Sequence, residues 1–159
     1  MMDTVNQMYI EQLNEDEKNI IEQVLKGFES KRQGTSTSYV SAMYAMEHEF
    51  DGETLSITMP VTPIVYNSLG MMHGGITATA IDTAMGMLAN KIAPSNKAAV
   101  TSQLNLHYTA PIYGGIVRAY AKIIHHGSKS MVIEGWIETD AGKRAAHATG
   151  SFYLIDKKQ

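Results

Sequence analysis

The chain has 159 residues, of which 44% are hydrophobic and 18% charged, and 13 Lys and Arg against 16 Asp and Glu give a formal net charge of −3. A domain of this length buries roughly two thirds of the surface that its unfolded chain exposes, so the composition predicts a folded domain and excludes a disordered chain. The absence of Cys excludes disulfide bonds, thiol nucleophiles and Cys-ligated metals. The slightly acidic balance argues against nucleic acid and anionic membranes as partners.

The sequence also indicates where the protein works. It has no apolar run of about 18 residues, the length at which a helix begins to span a membrane. The opening stretch, Met1 to Ile10, is polar and lacks the basic start and apolar core of a signal peptide. We therefore expect a cytoplasmic protein without a membrane partner.

The N-terminal part of the chain differs from the rest. Asn14 followed by Glu17 matches a capping box, and apolar residues follow at helical spacing, which predicts a helix over Glu15 to Ser30. Lys31 to Ser38 is polar and contains a glycine, so we expect a linker there. The predicted organisation is therefore a helical extension and linker over residues 1–38 and a main domain over residues 39–159.

The main domain is predicted to contain six strands and one long helix. Asp51-Gly52 is typical of a β-hairpin turn. A loop over Val61 to Met72 leads into a helix of small and apolar residues, Gly74 to Ile92, which Pro94 closes. The predicted strands are Tyr39–Glu49, Glu53–Pro60, Val100–Tyr108, Ile116–His126, Met131–Thr139 and Ala145–Ile155.

This order of elements predicts an α+β fold. Short turns join the last four strands, so we expect an antiparallel meander that wraps around the single long helix. A doubly wound α/β fold is disfavoured because only one helix lies among six strands. Alternation along the third strand predicts one face with Val100, Leu104, Leu106 and Tyr108, and an opposite face with Thr101, Gln103, Asn105 and His107.

The start of the long helix is the first candidate site. Gly74 and Gly75 occupy its first turn, where a missing side chain lets a ligand approach the backbone. The first N–H groups of a helix have no internal partner, and they are suited to hold a carbonyl oxygen that becomes negative during attack. The same glycines would also relieve crowding at a turn into a helix, and residue types alone leave both interpretations open.

Asp82 is the second candidate, because it is the only charged residue between Gly74 and Asn90. A partly desolvated carboxylate there could act as a base or nucleophile, whereas a fully solvated one would be ordinary surface. His73 lies nine residues before Asp82, which is about half a turn around the axis and ~13 Å along it. Both groups can therefore serve one substrate atom only if they come from two chains in an antiparallel, two-fold dimer.

These residues form a pattern that resembles the hot-dog-fold thioesterases of the PaaI-like, or phenylacetate-type, group. The pattern is Asn67-x-x-Gly-x-x-His73-Gly-Gly with Asp82 nine residues after the His, and the similarity continues through Val100–Pro111 and a Gly-Ser-Lys turn. The resemblance covers about Tyr39 to Ile155. It implies a hot-dog fold and the hydrolysis of an acyl-CoA to a free acid and CoA, without a metal or redox cofactor.

The resemblance also implies roles for individual residues. Asp82 would be the catalytic carboxylate, as general base or nucleophile, and the Gly74 amide would polarise the thioester carbonyl. His73 and Asn67 would orient the thioester or water, and Thr101 matches a position where relatives can carry a Ser or Thr that assists catalysis. The residues implied to contact the substrate are Gly75, Gly127, Ser128 and Lys129, the last three near the CoA nucleotide. Gly86 stands where some relatives have a helper Ser.

The implied assembly is a homodimer whose sheets join edge to edge and whose long helices face each other, with composite active sites. Dimers of dimers are also common in the family. Two other activities stay open. One is a hot-dog dehydratase or hydratase, which the Gly-Gly start with Asp82 fits poorly. The other is a non-catalytic acyl-CoA binding or sensor protein. A sensor that regulates transcription would need a DNA-binding module, for which the opening segment is too short and too acidic.

Overall fold

The structure, a computed structural model, describes residues 11–157, so the polar opening stretch used in the signal-peptide argument lies outside the described residues. Six strands form one antiparallel sheet in the spatial order β1-β2-β4-β5-β6-β3. No helix in the described part of the chain is long and apolar enough to cross a membrane. The strands are β1 Glu47–Phe50, β2 Thr54–Pro60, β3 Lys97–Tyr108, β4 Ile116–His126, β5 Ser130–Thr139 and β6 Arg144–Asp156.

The α+β fold and the order of elements along the main domain are confirmed, but the four-strand meander is wrong for β3. Only β4, β5 and β6 follow one another in the sheet, whereas β3 pairs with β6 at the far edge. The long helix carries the chain across the sheet from β2 to that edge, and β4 then returns to pair with β2. As a result, one side of β3 forms an open edge of the sheet in the single chain.

The helix α1 spans Glu15–Arg32, two residues longer than predicted. Its capping box is present: Asn14 Oδ1 accepts from the Glu17 N–H at 2.9 Å, and Glu17 Oε2 accepts from the Asn14 N–H at 2.8 Å. The helix is tied to the main domain through Gln23. The Gln23 Nε2 donates to the Met43 carbonyl at 2.8 Å, and the Thr62 hydroxyl donates to Gln23 Oε1 at 2.9 Å.

A short helix, α2, occupies Tyr39–Met43, where the sequence predicted the start of a strand. Ser38 caps it, because its side-chain oxygen accepts from the Ser41 N–H at 3.1 Å. Strand β1 begins only at Glu47, two residues after Ala45, whose φ of 49° lies in the left-handed region. The local cap therefore overrides the strand propensity of the first residues.

The predicted hairpin turn after β1 is confirmed. The Asp51 carboxylate accepts hydrogen bonds from the Thr54 N–H at 2.7 Å and the Glu53 N–H at 2.9 Å. These two bonds favour the charged carboxylate, so they lower the pKa of Asp51 from its ordinary value. The turn thus fixes the register of β1 against β2.

The long helix, α3, spans Gly74–Ile92, as predicted, and lies across one face of the sheet. Glycines on the sheet allow it to approach closely. A Cβ at Gly135 would lie 2.6 Å from Ile81 Cγ2, and one at Gly150 would lie 3.1 Å from Met85 Cε. The helix buries the following side chains: Thr77, Ala80, Ile81, Ala84, Met85, Leu88 and Ala89.

Strand β3 contains a β-bulge that corrects the predicted faces. Thr101 pairs with Phe152 and Gln103 pairs with Ser151, so Ser102 is an extra residue without a partner. Thr101 therefore shares the helix-facing side with Leu104, rather than the outer face with Gln103. The same shift turns Val100 to the outer face.

We expect Gly135→Ala to destabilise the fold, because the added methyl group would overlap Ile81 and Met85 in the core. The cost of such overpacking is typically about 1–3 kcal/mol in the free energy of unfolding, measured by urea denaturation. Gly86→Ala is the matched control, since its Cβ would meet only Phe152 at 3.7 Å. A helix-interior Gly→Ala change should stabilise by up to about 1 kcal/mol. Equal stability of the two variants would contradict this packing.

Candidate functional site

His73 caps the start of α3 with its ring. The Nδ1 atom accepts a hydrogen bond from the Gly75 N–H at 2.9 Å. A ring nitrogen that accepts carries no proton, so the neutral His73 ring has its proton on Nε2. The exposed side of this ring therefore offers an N–H donor next to the first turn of the helix.

The two glycines at the helix start each make room for a ring of the same chain. A Cβ at Gly74 would lie 3.3 Å from Cζ of Tyr108, and one at Gly75 would lie 3.1 Å from Nδ1 of His73. The Tyr108 hydroxyl also donates to the Gly74 carbonyl at 2.8 Å. The glycines thus relieve crowding. The Gly74 N–H nevertheless donates to no acceptor within residues 11–157, so it is available to a ligand.

Tyr108 is a site residue that the sequence analysis missed. Alternation places it only on one face of the third predicted strand, and its partner Gly74 lies 34 positions away in the chain. No local pattern marks a contact of that separation. The one available signal was its place at the end of a strand.

Asn67 shapes the loop before the helix. Its Oδ1 atom accepts from the Leu69 N–H at 2.8 Å and the Met71 N–H at 3.3 Å, and Gly70, with a φ of 72°, closes the turn. With Oδ1 occupied, Asn67 offers only the donors of its Nδ2 group to its surroundings. Asn67 and Gly74 border one cleft of about 410 Å³. The residues that line this cleft are Asn67, Met71, Met72, Gly74, Thr77, Tyr108, Thr109, Ala110, Pro111, Ile112 and Ala145.

Asp82 and Thr101 meet at the middle of α3. The Thr101 hydroxyl donates to Asp82 Oδ1 at 3.0 Å, a contact that exists only because the bulge turns Thr101 toward the helix. Asp82 is partly buried, so it is neither a fully solvated nor a sealed carboxylate. Eight residues of helix, about 12 Å, separate it from Gly74, and the two groups therefore do not meet within one chain.

The turn over Gly127 to Lys129 lies far from the helix start. The Gly127 N–H donates to the Ser130 carbonyl, and the Lys129 carbonyl accepts from the Leu154 N–H, both at 2.9 Å. Ser130 pairs with Tyr153, and Tyr153 pairs with Val100, so the turn shares the end of the sheet where β3 begins. Tyr108 marks the opposite end, roughly 25 Å away along the strand. Asp82 and Thr101 lie between the two ends.

The described residues offer no obvious metal centre. Between residues 11 and 157, no group of three or more His, Asp or Glu side chains is arranged to hold a metal ion. The polar groups that the site presents are a helix N-terminus, a histidine ring N–H and a carboxylate held by a hydroxyl.

Comparisons with known proteins show which family the chain is similar to and which solved structures share its fold. A family model described as the thioesterase superfamily matches residues 69–146. The BH2602 protein of Bacillus halodurans, solved with CoA, is 37% identical with a TM-score of 0.87, over 98% of this chain and 100% of that one. The HI1161 thioesterase of Haemophilus influenzae is 25% identical with a TM-score of 0.73, over 80% of this chain and 90% of that one.

Another similar protein is SSO2140 of Saccharolobus solfataricus, which carries the name of an esterase. It is 33% identical over 89 residues, which are 56% of this chain and 63% of that protein. The aligned part of this chain thus spans less than two thirds of that relative's length. The family match begins two residues after Asn67 and includes Gly74, Asp82, Thr101 and the 127–129 turn.

We expect His73 to show a single neutral tautomer in long-range ¹H–¹⁵N NMR spectra. At a pH where the ring is uncharged, Nε2 should be protonated and Nδ1 should not, because Nδ1 accepts from Gly75. His126, which is exposed on the surface, serves as the reference for a ring without such a cap. A protonated Nδ1 in His73 would contradict the cap.

Proposed function

Because the chain belongs to the thioesterase superfamily, we propose that it hydrolyses an acyl-CoA thioester to a free acid and CoA. The observation that carries the proposal is the hydrogen bond from Thr101 to Asp82 at 3.0 Å, which orients the only acid of α3 inside the matched region. The similar Bacillus halodurans protein was solved with CoA, which supports CoA as the leaving group.

In the proposed reaction, the helix start binds the thioester carbonyl. The Gly74 N–H has no acceptor among residues 11–157, and the positive end of the helix dipole strengthens it as a donor. The carbonyl oxygen gains negative charge as a nucleophile adds to the carbon, so a fixed donor stabilises the transition state more than the ground state. The His73 Nε2–H provides a second donor on the same turn.

Asp82 supplies the proposed base. It takes a proton from water while the water oxygen bonds to the thioester carbon; the C–S bond then breaks and the proton passes to the departing sulfur of CoA. Thr101 donates to Oδ1, which leaves Oδ2 to face the water. Direct attack by Oδ2 would instead form an anhydride that water then hydrolyses, and the same geometry serves both routes.

The proposal requires two chains. Two hydrogen bonds show how α3 runs along β3: Gly74 lies beside Tyr108, and Asp82 lies beside Thr101. If the open edge of β3 pairs antiparallel with its copy about a two-fold axis near Leu104, Thr101 lies opposite Tyr108 of the partner subunit. Asp82 then faces Gly74 of the partner subunit, and one dimer holds two composite sites.

The first test is the Asp82→Asn variant with a panel of acyl-CoAs and a reagent for the released thiol. Removing the charge while keeping the size should lower turnover at least ~10²-fold, the usual scale for loss of a positioned base. Thermal stability and acyl-CoA binding should persist. Asp16→Asn, an exposed position on α1, is the control. Hydrolysis by Asp82→Asn above a tenth of the wild-type rate would contradict the mechanism.

The second test concerns the two-chain site. Asp82→Asn and His73→Ala protomers, each inactive alone, are unfolded together and refolded as a mixture. Roughly half of the dimers are then mixed, and each has one intact site of two, so about a quarter of the wild-type rate should return. A site formed within one chain predicts no recovery. The unmixed variants, treated in the same way, give the baseline.

A further inference from the structure

Asn90, near the end of α3, bonds to the start of β3 through both ends of its side-chain amide. Its Oδ1 atom accepts from the Ala99 N–H at 2.9 Å, and its Nδ2 atom donates to the Ala99 carbonyl at 3.0 Å and to the Gly86 carbonyl at 2.9 Å. A residue of a neighbouring antiparallel strand would make the same two bonds with Ala99. The Asn90 side chain therefore occupies one position on the edge of β3 that is otherwise open.

The bonds to Asn90 also show which backbone groups of β3 face the open edge. The N–H and C=O of one residue point to the same side of a strand, so those of Ala99 point away from β6. Ala99 pairs with Leu154, and alternation along β6 then assigns the open edge to the residues that pair with its other even-numbered positions. The residues of β3 that face the open edge are Ala99, Thr101, Leu104, Leu106 and Tyr108.

A second copy of β3 could satisfy these groups in two ways. If all five residues were free, an antiparallel copy would pair them all about a two-fold axis at Leu104. Ala99 would then lie opposite Tyr108 of the partner subunit. Since unpaired backbone groups are costly away from water, the set of residues that are free at the edge decides between the registers.

The bonds to Asn90 remove Ala99 from this set. The four residues that remain pair symmetrically about Asn105, next to Leu104, because the bulge residue Ser102 is not counted in the ladder. Thr101 then lies opposite Tyr108 of the partner subunit. This is the arrangement that the two-chain site requires.

We propose that Asn90 is a positioning residue, which sets the register between two copies of β3 by closing the edge at Ala99. The proposal rests on the two-chain site of the proposed function. The two registers differ by two residues of strand, or about 7 Å. Asp82 meets Gly74 of the partner subunit in the register centred on Asn105, and lies about 7 Å short of it in the register centred on Leu104.

The register can be measured with a single thiol, because the chain contains no Cys. Asn105 is exposed, so Asn105→Cys places the thiol on the surface of the strand. In the proposed register the two introduced thiols face each other across the axis, with Cα atoms about 4.5 Å apart, and mild oxidation should join the subunits. In the other register they are diagonal neighbours about 7–8 Å apart, beyond the reach of a disulfide.

The decisive variant is Asn90→Ala in the Asn105→Cys chain. It frees the edge at Ala99, so the disulfide-linked fraction on non-reducing gels should fall at least about fivefold, while light scattering still gives the mass of a dimer. Lys91→Ala is the matched control on the next residue of α3, whose ammonium lies over the Phe50 ring at 4.9 Å. It should leave the linked fraction unchanged. Equal linkage in dimeric Asn90→Ala, or no linkage while Asn90 is present, would overturn the proposal.

A proline at position 99 provides a rescue that a merely structural role of Asn90 would not allow. Ala99→Pro removes the N–H that the other register must pair, and it costs no bond to β6 because this N–H points to the open edge. Added to Asn90→Ala and Asn105→Cys, it should return the linked fraction to within about twofold of the Asn105→Cys value. A folded triple variant without recovery would contradict the role of Asn90 in setting the register.

Turnover gives an independent measurement, since the cross-link needs no substrate. With Asn105 intact, Asn90→Ala should lower kcat for a hydrolysed acyl-CoA at least ~10²-fold, because Asp82 is displaced from the partner's Gly74, and Lys91→Ala should not. If no thioester is hydrolysed but the linked fraction depends on Asn90, the register proposal stands and the hydrolase proposal fails. If hydrolysis occurs and neither kcat nor the linked fraction depends on Asn90, the hydrolase proposal stands and the register proposal fails.

Discussion

The close contact between α3 and the sheet is the constraint on which the rest of the structure depends. Glycines at positions 135 and 150 remove the side chains that would otherwise separate the two layers. Because the helix lies this close to the sheet, its buried side chains fill the core. The same packing fixes the rotation of the helix about its axis, and so the direction in which its other side chains point. Asp82 is thereby directed toward β3, and the helix start toward the end of that strand. The geometry of the site follows from packing remote from it.

Much of the fold could be predicted from local pattern. The long helix was predicted with its observed bounds, because small and apolar residues run without interruption until Pro94. The failures arose where a local signal conflicted with periodicity or where pairing was distant. Ser38 caps a short helix inside an apparent strand. The pairing of β3 with β6 depends on how the whole sheet assembles rather than on the residues of β3 alone. A pattern of alternation does not specify which neighbour a strand selects.

The candidate site, like the fold, could be predicted from the sequence only in part. Gly74 and Asp82 were identified because their residue types are unusual for their positions in a helix, and His73 was identified through the resemblance to a known family. The structure shows that two of the predicted site residues also stabilise the local backbone. His73 caps the first turn of α3, and Asn67 holds the preceding loop. Tyr108 could not be found, since its contact with Gly74 spans 34 positions. The sequence thus identifies chemical groups more readily than it identifies the neighbours that position them.

The bulge at Ser102 allows residues that are an odd number of positions apart in β3 to face the helix together. On one side of the bulge, Thr101 faces the helix; on the other, Leu104, Leu106 and Tyr108 do so. Thr101 and Leu104 are three positions apart, so strict alternation would place them on opposite faces of the strand. Deletion of the single codon for Ser102 would leave them two positions apart, and a regular strand would then hold the Asp82 contact and the Gly74 contact on one face without a bulge.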